Sequence, residues 1–265
     1  MPLTRKYIRQ TAKSFSDIDS MDSFKNKKYL ITGANSGIGK CVSEVLINSG
    51  AKLFMVDRDV EYLETLHDRS IGSAFMQFDL NKPNEVEAVF DKAMSQEFVF
   101  DGMVYCAGIS PLMTLKELNL ELLQTTFNIN VVSFVAMLRF FMDKQYTNDG
   151  SSIIGISSNA SVLGGNRQYA YSASKSAMNL VVKSCVKELA QRKTRVNTIM
   201  PSTTNTEMVA KLRQQSDAID ANVKYKMPFG ILNPSDIANA VMYLLSDSSS
   251  AISGIQLPVN NGEVY

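Results

Sequence analysis

The stretch Lys28-Tyr-Leu-Ile-Thr32-Gly33-Ala-Asn-Ser-Gly37-Ile-Gly39 decides the fold of this chain. Its first five residues form an apolar run of strand length, and its glycines lead into a helical pattern over 37–49. Glycine lets the backbone turn tightly and approach a ligand closely, and the N-terminus of a helix favours negative charge. A strand, a glycine-rich turn and a helix in this order predict a site for the pyrophosphate of a dinucleotide.

Strands and helices alternate along the rest of the chain. After Lys28–Thr32, further strands are predicted over 51–56, 73–78, 100–106, 152–157, 195–200 and 255–259. Helices are predicted over 60–67, 84–97, 115–144, 169–190 and 233–245. The strands are continuous apolar runs, which is typical of strands buried on both faces. The pattern therefore predicts an α/β fold: a doubly wound, parallel, seven-stranded sheet of the Rossmann type with helices on both faces.

The domain organisation follows from where this alternation begins. Residues 1–26 are polar and mixed in charge, and we interpret them as an N-terminal extension. Residues 27–265 show no internal linker or repeat, so they are predicted to form one domain. Within it, residues 202–228 are irregular or weakly helical.

The composition excludes several classes of function. The net charge of +1 indicates neither a nucleic-acid nor a membrane-surface partner, and no apolar run approaches the roughly 18 residues that span a bilayer. Three scattered cysteines without a CxxC pattern favour a reducing compartment, predicted to be the cytoplasm, and argue against a disulfide framework or a cysteine zinc site. A single histidine, His67, and no Gly-x-Ser-x-Gly motif argue against a Ser-His-Asp hydrolase.

The second strand ends in an acidic residue that bears on the choice of cofactor. Asp57 lies about 18 residues beyond Gly39, where a carboxylate accepts hydrogen bonds from an adenosine ribose and repels a 2′-phosphate. This favours NAD(H) over NADP(H), although Arg58 follows and could pair with a phosphate. Asp79 ends the third strand, where it could meet the adenine. Asp57 could instead be the N-cap of the helix that begins near Val60, and Asp79 could be an N-cap or turn residue.

Tyr171 and Lys175 are four residues apart in a predicted helix and therefore share one face. The pKa of a free tyrosine is about 10, and a nearby ammonium group favours the phenolate. Such a pair can transfer protons near neutral pH. Taken alone, the same spacing is also typical of an ordinary surface pair.

Together these motifs resemble the short-chain dehydrogenase/reductase family from about Lys28 to Gly262. The motifs occur in the family's order: the glycine turn, Asp79, Ala107-Gly108, Asn130, Ser158, Tyr171 with Lys175, and Arg195-Val-Asn-Thr-Ile-Met-Pro201. The resemblance implies an oxidoreductase that acts on CH–OH groups with NAD(P).

The resemblance also implies roles for individual residues. Tyr171 would be the general acid and base, Ser158 would hold the substrate oxygen, and Lys175 would bind the nicotinamide ribose and lower the tyrosine pKa. Asn130 would hold a water molecule that links Lys175 to solvent. The cofactor-binding set would be Gly33, Asn35, Ser36, Gly37, Ile38, Gly39, Asp57, Arg58, Asp79, Leu80, Ala107, Gly108, Tyr171, Lys175, Pro201, Thr204 and Thr206.

The chain departs from the family pattern at several positions. Tyr105-Cys106 replaces an Asn-Asn pair, Ser133 and Ser202 replace glycines, and the tail reads Val259-Asn-Asn-Gly262. The resemblance implies that 202–228 forms a lid over the substrate and that the chain forms a homotetramer or homodimer. Candidate pocket residues are Ser110, Asn159, Met208, Met227 and Phe229.

The sequence thus favours an NAD(H)-dependent oxidoreductase that interconverts a secondary alcohol and a ketone. A sugar derivative or another small hydroxy or keto compound would be the substrate. Two alternatives stay open at this point. One is an NAD(H)-binding regulatory or interaction protein with little catalysis, and the other is a 3-oxoacyl-[acyl-carrier-protein] reductase.

Overall fold

A computed structural model describes residues 21–215 and 226–263. Seven strands form one parallel sheet in the order β3-β2-β1-β4-β5-β6-β7. Their bounds are β1 Lys28–Thr32, β2 Lys52–Asp57, β3 Ala74–Gln77, β4 Phe100–Tyr105, β5 Thr147–Ile156, β6 Arg195–Pro201 and β7 Gln256–Val259. The predicted doubly wound, seven-stranded fold is confirmed. Residues 1–20 of the predicted extension lie outside the described residues, whereas Met21–Phe24 form a 3₁₀ turn whose Phe24 packs in the core.

One face of the sheet is covered by three helices: α1 Gly37–Asn48, α2 Glu61–Arg69 and α9 Pro234–Leu245. Their apolar side chains form one core with the strand residues that point to this face. The helix α9 begins with the predicted proline at its first position, and Asn233 and Asp236 form a reciprocal capping box. These local signals explain why its start could be read from the sequence.

The other face is covered by α3 Glu87–Met94, α4 Leu120–Phe127, α5 Ser133–Leu138 and the long α7 Tyr169–Leu189. A second core lies between these helices and the sheet, and it includes a cluster of aromatic rings around Phe90. The five inner strands are therefore buried from both sides, as their continuous apolar sequences predicted, whereas the edge strands β3 and β7 are only partly buried.

The long helical stretch predicted over 115–144 is continuous only over Leu120–Met142, and it is not α-helical throughout. A short 3₁₀ turn, Leu115–Glu117, precedes α4, a π-helical turn, Asn128–Val132, joins α4 to α5, and a further 3₁₀ turn, Arg139–Met142, follows. The run Leu120–Met142 is long and apolar enough to cross a membrane by length and composition, so the expectation that no apolar run approaches this length was wrong. Half of it is buried inside the protein, where it forms part of the core, as expected for a core helix.

Two shorter helices lie beyond the ends of β5 and β6: α6 Ala160–Leu163 and α8 Glu207–Gln215. The predicted lid, 202–228, contains α8, and its residues 216–225 lie outside the described part of the chain. The described parts of the lid on either side are anchored. Thr204 forms an isolated bridge with Leu232, and Met227 is buried in the core beneath α9.

Candidate active site

A cavity of about 1190 Å³ opens where the strands end at their carboxyl edge. Residues that follow β1, β2, β4, β5 and β6 all contribute to its lining. The strand order reverses between β1 and β4, and in open parallel sheets ligands bind at such a crevice. The structure brings all the predicted site residues except Asn130 to this cavity.

The glycine turn can be built only from glycines at two points. A Cβ on Gly39 would lie 2.1 Å from the carbonyl oxygen of Gly33, and a Cβ on Gly33 would lie 2.7 Å from the amide nitrogen of Ala107. Gly33 also has a φ of +66°, which glycine adopts without strain. The backbone of the turn therefore packs directly on the backbone that follows β4, and it leaves room for a dinucleotide.

The N-terminus of α1 is met by a carboxylate from the predicted lid. The backbone N–H of Gly37 donates to Oε2 of Glu207 at 3.0 Å, and the preceding Ser36 makes no side-chain cap. A negative group thus lies where the helix dipole and the glycine turn favour one. The sequence analysis missed Glu207, because it is 170 residues away in the chain.

Asp57 is oriented by the glycine turn. Its Oδ2 accepts the N–H of Asn35 at 3.0 Å, and its Oδ1 accepts the N–H of Asp59 at 3.3 Å. The side chain of Asn35 accepts the N–H of Tyr62 in the first turn of α2. Asn35 therefore caps this helix, which removes the alternative that Asp57 is its N-cap.

Arg58 and Asp79 also line the cavity, each with a local partner. The guanidinium group of Arg58 lies 3.4 Å from the carboxylate of Asp59, and its side chain is 71% exposed. Asp79 accepts the N–H of Asn81 at 2.9 Å, so it has the turn contact that was its alternative role. Next to it, the carbonyl oxygen of Leu80 accepts the hydroxyl of Ser133 at 2.6 Å.

Ser158 and Tyr171 meet across the cavity. Ser158 follows β5, and Tyr171 lies in the first turn of α7. Burial raises the pKa of Tyr171, and the hydrogen bond from Ser158 lowers it in part. The phenol is therefore protonated at neutral pH in this structure.

Lys175 lies one turn along α7 from Tyr171 and is 3% exposed. Its ammonium group donates to the carbonyl oxygen of Ile156 at 2.7 Å and lies 5.9 Å from the centre of the Tyr171 ring. Burial lowers the pKa of Lys175 to about 8. Burial and the hydrogen bond from Ser158 are the causes of the shift in the Tyr171 pKa, so the expectation that Lys175 lowers this pKa stays a prediction.

Asn130 lies in the π-helical turn and is fully buried. Its side-chain amide accepts the N–H of Ile109 and donates to the carbonyl oxygen of Ile109 and to the hydroxyl of Ser174. The amide thus holds the loop after β4 against α7. Its role in a water relay stays a prediction.

The loop after β4 explains the departure from the family pattern at Tyr105 and Cys106. The buried Tyr105 donates its hydroxyl to the carbonyl oxygen of Ile129, which supports the π-helical turn. Burial raises the pKa of the Cys106 thiol to about 12, although the nearby Lys175 lowers it in part. A Cβ on Gly108 would lie 3.3 Å from Nζ of Lys175, so this glycine keeps the space beside the lysine open.

The remaining wall of the cavity is formed by residues that follow β6 and by the two described ends of the lid. Pro201, Thr204 and Thr206 line it, and Thr206 accepts the N–H of Val209 with its hydroxyl at 3.4 Å, close to an N-cap. Four of the five candidate pocket residues contribute: Ser110, Asn159, Met208 and Met227. Phe229 does not line the cavity; its side chain is 80% exposed.

The sequence analysis also missed Glu263, whose carboxylate enters the cavity and contacts Asn159 and Ser202. No sequence motif marks it, because the tail returns to the site only in the folded chain. Within 21–215 and 226–263, no cluster of three or more His, Cys, Asp or Glu could hold a metal ion.

Comparison with protein families gives a match over residues 33–263 to a family described as enoyl-(acyl carrier protein) reductase. One similar curated protein is the vibriobactin-specific 2,3-dihydro-2,3-dihydroxybenzoate dehydrogenase of Vibrio cholerae. It is 30% identical over 253 residues, which are 91% of this chain and 97% of that protein. The similarity therefore extends over the whole of the predicted domain rather than over the glycine turn alone.

Two solved structures from Brucella melitensis are similar in fold. One is described as a short-chain glucose/ribitol dehydrogenase, with a TM-score of 0.83, 27% identity and coverage of 92% of this chain and 98% of that one. The other is a 3-ketoacyl-(acyl-carrier-protein) reductase complexed with NADH, with a TM-score of 0.79, 26% identity and coverage of 91% and 99%. Both cover the cavity and the helices around it.

Proposed function

The chain belongs to the short-chain dehydrogenase/reductase family, whose oxidoreductases act on CH–OH groups with a nicotinamide cofactor, and we propose that it interconverts a secondary alcohol and a ketone with NAD(H). The observation that carries the proposal is the meeting of Ser158, Tyr171 and Lys175 in the cavity beside the glycine turn. Ser158 follows β5, whereas Tyr171 and Lys175 lie one turn apart on α7. A chance surface pair would not converge with a residue from another element in this way.

Proton transfer is the part of the reaction that these side chains would perform. When bound, the cofactor supplies the hydride in reduction and accepts it in oxidation. In reduction, the hydroxyl of Tyr171 gives its proton to the substrate oxygen as the carbonyl carbon becomes a CH–OH carbon. Ser158 donates a hydrogen bond to the same oxygen, and Lys175 supplies the positive charge that stabilises the resulting phenolate.

A tyrosine variant tests this role. We expect Tyr171→Phe to bind NADH like the wild type and to lose about 10²- to 10⁴-fold in turnover, because it keeps the ring and lacks the proton. NADH fluorescence titration and steady-state kinetics measure the two effects. Tyr169→Phe is a matched control: its hydroxyl is buried without a hydrogen-bond partner in the described part of the chain, and it lies outside the cavity lining. Retained activity in Tyr171→Phe would exclude the mechanism.

The preference for NAD(H) rests on Asp57. Its carboxylate faces the cavity beside the glycine turn, where it would repel a 2′-phosphate, whereas Arg58 is turned to Asp59. We expect Asp57→Ala to reduce the ratio of kcat/KM with NADH to kcat/KM with NADPH by about tenfold or more. This is the size of effect expected from the loss of one to two hydrogen bonds. Asp68→Ala, on the exposed side of α2, should leave the ratio unchanged. An unchanged ratio in both variants would contradict the assignment.

The alternative of a 3-oxoacyl-[acyl-carrier-protein] reductase draws support from the Brucella melitensis structure of that description. Reduction of an acetoacetyl thioester tests it directly. A regulatory protein without catalysis is less well supported, because binding alone needs no proton-transfer pair. A small-molecule substrate, assembly into a homodimer or homotetramer and a cytoplasmic location are parts of the same proposal. The three free cysteines are consistent with such a reducing compartment.

A further inference from the structure

The C-terminal tail carries a carboxylate into the cavity. Oε2 of Glu263 accepts a hydrogen bond from the side-chain amide of Asn159 at 2.7 Å and another from the hydroxyl of Ser202. Asn159 is only 2% exposed. Two donors from separate loops thus fix the orientation of the carboxylate, which is therefore an ordered part of the cavity wall.

The backbone of the tail is arranged to deliver this side chain. The N–H of Glu263 donates to the carbonyl oxygen of Asn260, and the side chain of Asn260 donates back to the carbonyl oxygen of Glu263 at 2.8 Å. Asn261, with a φ of 48°, ties the turn to Gly230 through a hydrogen bond of 2.9 Å. The unusual Asn-Asn-Gly sequence therefore forms a turn that points Glu263 back at the sheet.

The residues that hold the carboxylate follow the ends of β5 and β6. Asn159 is the residue after Ser158, and its backbone N–H donates to the carbonyl oxygen of Pro201 at 2.8 Å. Ser202 follows Pro201. Glu263 is thus held between the ends of β5 and β6, at the sheet edge that carries Ser158, and it lines the same cavity as Tyr171.

The free side of the carboxylate has a definite chemical preference. Both hydrogen bonds reach Oε2, and within residues 21–215 and 226–263 no donor reaches Oε1. An ionised oxygen accepts hydrogen bonds from hydroxyl groups strongly and repels anions. Cations also line the cavity, but the guanidinium group of Arg167 is 3.7 Å from the carboxylate of Glu117, and Arg58, Lys211 and Lys226 are exposed, where solvent screens their charge. Lys175 is buried, and its ammonium group donates to the carbonyl oxygen of Ile156.

We infer that Glu263 determines substrate specificity by accepting a hydrogen bond from a hydroxyl group close to the reacting carbon. The site then favours neutral, polyhydroxylated ketones and polyols and disfavours keto acids and other anionic ketones. This inference rests on the proposed function, because it places the reacting carbon beside Ser158 and Tyr171.

Three ketones of four carbons test the inference: erythrulose, which carries hydroxyls, butan-2-one, which carries none, and acetoacetate, which is anionic. The wild type should prefer erythrulose to the other two by about tenfold or more in kcat/KM. Glu263→Gln should lower this preference by about tenfold, mainly through a higher KM for erythrulose, and should improve acetoacetate. Glu188→Gln, an exposed carboxylate of α7, is the control and should keep the wild-type ratios.

A binding measurement separates this inference from the proposed function. With NADH present, erythritol should raise the thermal midpoint of the wild type more than that of Glu263→Gln. If no ketone turns over but this difference is found, the hydroxyl contact of Glu263 stands and the proposed function falls. If ketones turn over and Glu263→Gln keeps the wild-type preference, the inference falls alone. If the wild type shows neither turnover of a ketone nor a thermal shift with erythritol, the inference and the proposed function are both overturned.

A second variant protects the test against misfolding. NADH binding checks that Glu263→Gln is folded. If it is not, Ser202→Ala decides, because it removes one of the two donors that orient the carboxylate and leaves the tail turn in place. We expect a change in the same direction and of smaller size, and an unchanged preference in this variant overturns the inference.

Discussion

Lys175 holds an ammonium group that is almost completely removed from water. Its pKa is lowered by burial to about 8, because the charged form loses hydration. The unfolded chain holds the proton up to a pH near 10.5, the ordinary value. Between these two values the unfolded state binds more protons than the native state, so stability rises with pH. Below about pH 8 the buried charge destabilises the fold in full.

We expect Lys175→Met to remove this pH dependence. The wild type should gain on the order of 3 kcal/mol in the free energy of unfolding between about pH 8 and 10.5, and the variant should lack this gain. At pH 7 the variant should therefore be at least as stable as the wild type, and inactive. Urea unfolding at several pH values measures the difference. The same rise in both proteins would contradict the lowered pKa of Lys175.

Ser158 is expected to set the pH profile of the oxidation reaction. Its hydrogen bond lowers the pKa of Tyr171 against the larger effect of burial. Ser158→Ala removes this hydrogen bond, so the pKa rises, and the phenolate that oxidation needs forms only at higher pH. The pH profile of kcat/KM should shift to alkaline values, with a loss of about tenfold or more at pH 7. Ser161→Ala, on α6, is the control and should leave the profile in place.

At the scale of elements, α8 meets the N-terminus of α1. Glu207, the first residue of α8, accepts the N–H of Gly37, and a Cβ on Gly37 would lie 3.3 Å from the side chain of Thr206. A pyrophosphate at the glycine turn would compete with this carboxylate for the same N–H group and would be repelled by its charge.

We therefore expect Glu207→Gln to tighten NADH binding by about two- to tenfold, since it removes a competing negative charge worth roughly 0.5–1.5 kcal/mol. Fluorescence titration at low and high salt measures the effect, which should shrink at high salt because salt screens charge repulsion. Glu64→Gln, on exposed α2, should bind NADH as the wild type does. Weaker binding by Glu207→Gln would show that the carboxylate assists the cofactor instead.

On the scale of the whole molecule, apolar side chains remain exposed on the helices that cover one face of the sheet. Val132 is 39% exposed, Val135 43% and Leu180 62%. They lie in the π-helical turn, α5 and α7, which are neighbours around the second core. Exposed apolar residues grouped on one face are typical of a subunit interface, in line with the proposed oligomer.

We expect Leu180→Glu to break or weaken the assembly, because a subunit interface would bury the new charge without a partner. Light scattering coupled to size-exclusion chromatography should give a smaller mass than for the wild type. Ile71→Glu is the control: Ile71 is 97% exposed in the turn after α2, away from these helices. An identical mass for the Leu180→Glu variant and the wild type would exclude this face as the interface.

Three features could be predicted from the sequence alone: the parallel seven-stranded sheet, the glycine turn and the position of Tyr171 and Lys175 on one helix face. These features follow from local patterns: apolar runs, the backbone freedom of glycine, and four-residue spacing on a helix. The π-helical turn Asn128–Val132 was not predicted, because it depends on side chains such as Tyr105, which contacts it from a strand that is distant in the sequence.

Only the tertiary structure decided which other groups reach the site and how protons are held there. Glu207 lies 170 residues from Gly37, and Glu263 lies 104 residues from Asn159, so no local pattern links them. The raised pKa of Tyr171 and the lowered pKa of Lys175 arise from burial. Burial is a property of the packed cavity, because it depends on which distant segments cover these side chains and remove them from water.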